Sequence, residues 1–151
     1  MPFLENPMPQ MIFVNLPVAD VAKATAFYQA IGCTQDERFS QAGTASAMVL
    51  SDTISFMLLS RDYFQTFTPK PVADASAGTE VLICISRDSR EAVDAIVERA
   101  AATGGKADIR PVQDMGFMYG RSFEDPDGHI FEPMFMDVDA FMAATSQPAE
   151  A

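Results

Sequence analysis

The sequence predicts an α+β protein in which two successive βαβββ modules make up one domain spanning residues 1–151. Two features of the chain carry this reading. The order of strand-like and helix-like runs repeats halfway along the chain, and Asp125-Pro126-Asp127-Gly128 is a strong turn signal ahead of a closing strand. Bulk composition agrees: 151 residues with 48% apolar side chains are enough to bury one core.

The first module occupies about residues 11–60. Residues 11–18 are rich in β-formers and read as a strand. Asp20 then caps a helix whose apolar residues Val21, Ala24, Tyr28 and Ile31 recur at helical spacing, with Phe27 beside them. Gly32 stops that helix as a left-handed C-cap residue does. Three short strands follow at 34–39, 45–50 and 53–59, broken at Gly43 and at Ser51-Asp52.

Residues 61–78 form a linker, in which Thr68-Pro69-Lys70-Pro71 ends a helical turn over 62–67. The second module, about 79–137, repeats the order. Residues 80–85 read as a strand, and Asp88 with Glu91 as a capping-box helix start. Val93, Ile96, Val97 and Ala100 form the buried stripe of the second helix, which Gly104-Gly105 ends. Strands are expected over 107–112, 117–124 and 129–136, with a possible bulge at Gly120. Residues 138–151 form a tail, helical over 138–144 and frayed at the end.

A formal net charge of −11 argues against nucleic acid and anionic membrane surfaces as partners. No run reaches the roughly 18 apolar residues of a membrane span. Residues 1–10, with Glu5 and three prolines, lack the basic start and apolar core of a signal peptide, so the expected compartment is the cytoplasm. Cys33 and Cys84, without CxxC spacing, read as small core residues.

Two segments carry a family resemblance. Phe13-Val14-Asn15-Leu16-Pro17-Val18-Ala19-Asp20, with Phe27-Tyr28 and Ile31-Gly32, is similar to the first strand and helix of a vicinal oxygen chelate domain. Phe123-Glu124-Asp125-Pro126-Asp127-Gly128-His129-Ile130-Phe131-Glu132 resembles the closing hairpin of that superfamily and is the more specific of the two. The resemblance spans residues 11–137. Glyoxalase I, bleomycin-resistance proteins, fosfomycin-resistance enzymes and extradiol dioxygenases share the architecture. It implies a cupped mixed sheet with helices on the outer face, commonly in a homodimer. It also implies four metal-ligand positions, which by register fall at Phe13, Met57, Val81 and Glu132. The metalloenzymes of the family place His, Gln or Glu there, and only Glu132 matches. Phenylalanine and valine cannot coordinate a divalent cation, and a thioether is a poor ligand for hard metals. The expectation is therefore no cofactor, with a divalent metal as the alternative.

Strand alternation extends the site. If Glu124 and His129 flank the turn, Arg121 lies opposite Glu132 and Tyr119 opposite Met134, and cross-strand partners share a face. The expected pocket is then Phe13, Asn15, Met57, Val81, Tyr119, Arg121, Glu132 and Met134, with Leu59 and Ile83 adding apolar surface. His129, the only histidine, faces away from it. Arg121 and Glu132 read either as a structural ion pair or as a clamp on a ligand carboxylate or phosphate.

Three functional readings follow. The first is a non-metal protein that binds a small, partly apolar molecule. The second is an enzyme: a metal-dependent glyoxalase-like lyase or dioxygenase, or a metal-free enzyme using Glu132, Arg121 and Tyr119. The third is a partner-binding module whose pocket its own side chains fill.

Overall fold

The computed structural model describes residues 8–146. The expectations for residues 1–7 and for the frayed end after Ser146 lie outside them. The chain divides between Val72 and Ala73 into two compact units.

In the first unit, strand β1 (Ile12–Val18) leads into helix α1 (Val21–Ala30), followed by β2 (Thr34–Gln41), β3 (Ala45–Val49), β4 (Ile54–Ser60) and the short helix α2 (Arg61–Gln65). The sheet order is β1-β4-β3-β2, with β1 parallel to β4 and the other pairs antiparallel. The Asp20 side chain accepts the Lys23 N–H at 3.0 Å and so caps α1 as expected. Gly32 has φ +113° and lets the chain leave the helix while Cys33 N–H returns to Tyr28 O. Phe27, Tyr28 and Ile31 are fully buried, and the Tyr28 ring packs 5.8 Å from that of Phe56 on β4.

The second unit repeats the order with interruptions. Strand β5 (Leu82–Ser86) precedes helix α3 (Arg90–Ala102). Then come β6 (Lys106–Ala107), β7 (Gln113–Asp114), β8 (Met118–Gly120), β9 (Phe123–Glu124), β10 (Ile130–Met136) and helix α4 (Val138–Ser146). β10 pairs in parallel with β5 and antiparallel with both β8 and β9 in one continuous register, so β8 and β9 act as a single strand without a bulge at Gly120. Arg121 N–H bridges them by donating to Pro133 O. The sheet thus repeats the first unit's order, with the β6–β7 side outermost.

Three expectations need correction here. Ser89, not Asp88, caps α3, accepting the Ala92 N–H at 3.0 Å. The strand expected over 107–112 is absent: only Ala107 of it pairs, residues 108–112 leave the ladder, and pairing resumes at Gln113. Pro111 sits in that stretch and has no N–H to give a ladder. Cys84 is exposed, whereas Cys33 is buried as expected.

The helix α3 face of the sheet is the core of this unit. Val93, Ile96, Val97 and Ala100 are fully buried there, as are Phe123 and Phe131, whose rings stack at 5.1 Å. At the closing hairpin, Asp125 N–H donates to His129 O, leaving a loop of Pro126, Asp127 and Gly128. The buried Asp125 carboxylate accepts the N–H groups of Asp127 and His129. Gly128 has φ +99°, and a Cβ there would lie 2.7 Å from Ser76 N. Only glycine meets both demands.

Candidate functional site

The hairpin loop decides which side chains meet. With Asp125 opposite His129, the pairs become Glu124 with Ile130, Phe123 with Phe131, Gly120 with Met134 and Tyr119 with Phe135. The expected register, with Glu124 opposite His129, is off by one residue. A one-residue slip turns the side chains of one strand to the other face. Arg121 and Tyr119 therefore do not lie opposite Glu132 and Met134. They point to the α3 side, with Phe131 and Pro133, while Ile130, Glu132 and Met134 occupy the far face.

On the α3 side the charges form a closed network. The Arg121 Nε and Nη2 donate to the two oxygens of Asp108 at 3.0 and 2.8 Å, and its Nη1 to Asp94 Oδ1 at 2.9 Å. The Tyr119 hydroxyl donates to the same Asp94 oxygen at 2.6 Å. That hydroxyl and the Arg121 guanidinium hold the Asp94 carboxyl below its usual range, and the carboxylate in turn raises the Tyr119 phenol. The guanidinium of Arg90 lies 4.9 Å from the Tyr119 ring centroid and binds both Asp114 oxygens. Of the two roles expected for Arg121, the ion pair is the one formed, but with Asp94 and Asp108.

The far face holds a different pair. Glu132 meets the Arg110 guanidinium at 2.6 Å. Arg110 belongs to the 108–112 excursion, whose backbone is fixed by Asp108 N–H to Ser122 O and Arg110 N–H to Ser122 Oγ. Sequence reasoning missed this residue by reading its segment as a regular strand; Pro111 was the available signal. On the neighbouring strand Cys84 pairs with Glu132 and Leu82 with Ile130, so both share the far face. Val81 lies one residue before β5, with the parity of Ile83 and the buried Ile85. The ligand-equivalent position on this strand is therefore Leu82, not Val81, and Ile83 also belongs to the α3 side. Burial, and after it the Glu132 charge, raises the Cys84 thiol above its ordinary value. Such a thiol stays protonated at neutral pH and is a poor nucleophile.

The remaining expected residues belong to the first unit. Asn15 pairs with Met57, and Met57 with Ala47, so these lie on its face away from α1, together with Phe13 and Leu59. Phe13 is 57% exposed at the sheet edge. On the α1 side, a cleft of about 310 Å³ is lined by Val21, Thr25, Gln35 and Ser46 among others. Its polar groups bind one another, Thr25 and Gln35 both donating to Ser46 Oγ.

The donor set does not fit the superfamily's metal. Phe13, Met57 and Leu82 supply no hard donor, so Glu132 stands alone where about three protein ligands are needed. Among the described residues no group of three or more His, Cys, Asp or Glu side chains converges. No helix among them is long and apolar enough to cross a membrane.

Comparison with known proteins places this geometry. No curated protein matches the sequence. Among solved structures, a hypothetical protein from S. aureus is 23% identical with a TM-score of 0.70, covering 88% of this chain and 98% of its own. A glyoxalase/bleomycin resistance protein/dioxygenase family enzyme from Burkholderia phytofirmans PsJN is 19% identical, with a TM-score of 0.67 and coverage of 85% and 99%. A lactoylglutathione lyase from Agrobacterium tumefaciens is 17% identical, with a TM-score of 0.61 and coverage of 87% and 96%. Identities this low speak for the fold and not for an activity. The family model for the Glyoxalase/Bleomycin resistance protein/Dioxygenase superfamily matches residues 10–132, most of the chain, and the protein belongs to that superfamily.

Proposed function

We propose that this protein binds a small, partly apolar molecule on the far face of the second unit's sheet, without the superfamily's usual metal. One observation carries the reading: the Arg110–Glu132 pair sits beside Leu82, Cys84, Ile130 and Met134 on a face that α3 does not cover. A few polar groups set in apolar surface is the usual make-up of a small-molecule site. The metal-free enzyme built on Glu132, Arg121 and Tyr119 loses its geometry, because the last two face α3. The chain's acidity supports the view that nucleic acid is not a partner, and the family's habit supports a homodimer.

The test is calorimetric titration with Ni²⁺, Zn²⁺, Mn²⁺ and Fe²⁺ under anaerobic conditions. Affinity no tighter than about millimolar, roughly −4 kcal/mol, is expected for each. Tight stoichiometric binding that Glu132→Gln abolishes would overturn the metal-free reading. Sedimentation equilibrium showing a monomer at micromolar concentration would remove the homodimer.

A further inference from the structure

Two arginines of the second unit lie close in sequence to the same hairpin and are used differently. Arg121 has both edges of its guanidinium filled: Asp108 binds the Nε–Nη2 edge and Asp94 binds Nη1. Its side chain is only 14% exposed. Arg110 meets the Glu132 carboxylate at its Nη2, and its side chain is 41% exposed. Among the described residues, its Nε and Nη1 meet no acceptor.

From this geometry we propose that Arg110 is a carboxylate receptor. It takes the carboxylate of an amphiphilic ligand through a two-donor edge that the single contact with Glu132 leaves open, in which Nη2 gives its second hydrogen beside Nη1 or Nε. The inference rests on the far-face reading above and adds to it the chemical class of the ligand. Guanidinium donors match a planar carboxylate in two parallel hydrogen bonds, which neither an amide nor an alcohol reproduces.

The surroundings suit the task. Both ends of the 108–114 stretch are pinned by two-point ion pairs, Asp108 to Arg121 and Asp114 to Arg90. Ser122 fixes the Arg110 backbone, so the receptor is held in place before a ligand arrives. The ligand's apolar part has Leu82 to cover, 55% exposed on the same face. Glu132 is the better buried partner of the pair, with 16% of its side chain exposed. It holds Arg110 over the face and also repels an arriving anion. The proposal therefore sets opposite signs for the two charges: removing Arg110 weakens carboxylate binding, and removing Glu132 strengthens it. A cationic ligand that displaced Arg110 from Glu132 would show the reverse.

The test uses the full chain at low salt with three probes of one shape: 4-phenylbutyrate, 4-phenylbutanamide and 4-phenylbutylamine. Affinity is read by calorimetry, and location by protection of Cys84 from a maleimide in alkaline buffer, where its raised thiol supplies the reactive thiolate. The butyrate is expected to bind at least ten-fold more tightly than the amide and to protect Cys84. Arg110→Gln should bring the two to equal affinity, and Arg110→Lys should keep part of the difference, because it keeps the charge without the fork. Glu132→Gln should tighten the butyrate several-fold. Equal protection by amide and butyrate would leave the far-face site standing and remove the carboxylate receptor. Preference for the amine, or weaker butyrate binding in Glu132→Gln, would do the same. Protection of Cys84 by none of the probes would overturn both readings.

Discussion

The two units share one strand order and diverge on the face away from their helix. In the first, the three strands β1, β4 and β3 present Phe13, Asn15, Pro17, Ser55, Met57, Leu59, Ala45, Ala47 and Val49, with no charged side chain, and charge enters only at the outer strand β2, where Asp36 lies opposite Ala47 and pairs with Arg38. In the second, the corresponding surface carries Glu132 and Glu124 and receives Arg110 from the outer edge. The hydrogen-bond ladder lies in the plane of the backbone and the helix packs on the opposite face, so neither dictates which side chains the far face carries. Duplicating a fold duplicates a scaffold, and chemistry is then set one side chain at a time.

If the scaffolds are equivalent, matching core deletions should cost alike. Phe56 on β4 and Phe131 on β10 are both buried against their unit's helix-side core. Phe56→Ala and Phe131→Ala should each destabilise by about 3–5 kcal/mol in urea unfolding. A difference of more than about 2 kcal/mol between them would break the equivalence.

The next effect belongs to the second unit alone. Gly128→Ala meets both a positive φ and the backbone of Ala75 and Ser76. A loss of about 2–3 kcal/mol is expected. A loss below about 0.5 kcal/mol would mean that the loop relaxes and does not hold the register.

Acid sharpens the contrast further. Arg90, with help from the Gly116 N–H, holds the Asp114 carboxyl down to about 2 from an ordinary 3.8. A depressed carboxyl contributes stability above its unfolded value and loses it as pH falls through the folded one. The pinning of the 108–114 stretch should therefore fade as pH drops from about 4 to about 2. The protection of the Gln113 and Gly116 amides, taken against intrinsic exchange at each pH, should fall over that window in the wild type. In Arg90→Gln the same amides should exchange fast already at neutral pH. Identical profiles in the two proteins would show that the ion pair does not hold the segment.

The smallest effect is expected on the far face. The Arg110–Glu132 pair is half open to water, and Arg110→Gln should change stability by less than about 1 kcal/mol. A larger loss would recast Arg110 as a structural residue.

Much of the fold was legible in the chain because its signals are local. Helical spacing at Val21, Ala24 and Tyr28, the Asp20 cap and the Gly32 stop are set by neighbours within a few residues. The site was less legible. Glu132 and Met134 were found on the far face, and Asn15 and Met57 were found sharing one in the first unit. Val81, Tyr119 and Arg121 were assigned to the wrong face, and Arg110 was overlooked.

By itself, then, the sequence determined the α+β class, the repeated βαβββ order, both helices with their buried stripes, and the poverty of metal donors. Tertiary structure decided the pairing register. A loop of Pro126, Asp127 and Gly128 and a loop of one residue more read alike in the chain. The buried Asp125 carboxylate and the 75–76 backbone against Gly128 are long-range or solvent-excluded contacts that select the shorter one. Side chains alternate with a period of two, so that single residue moved Arg121 and Tyr119 to the helix side. The far face was left to Glu132 and to an arginine that arrives from outside the ladder.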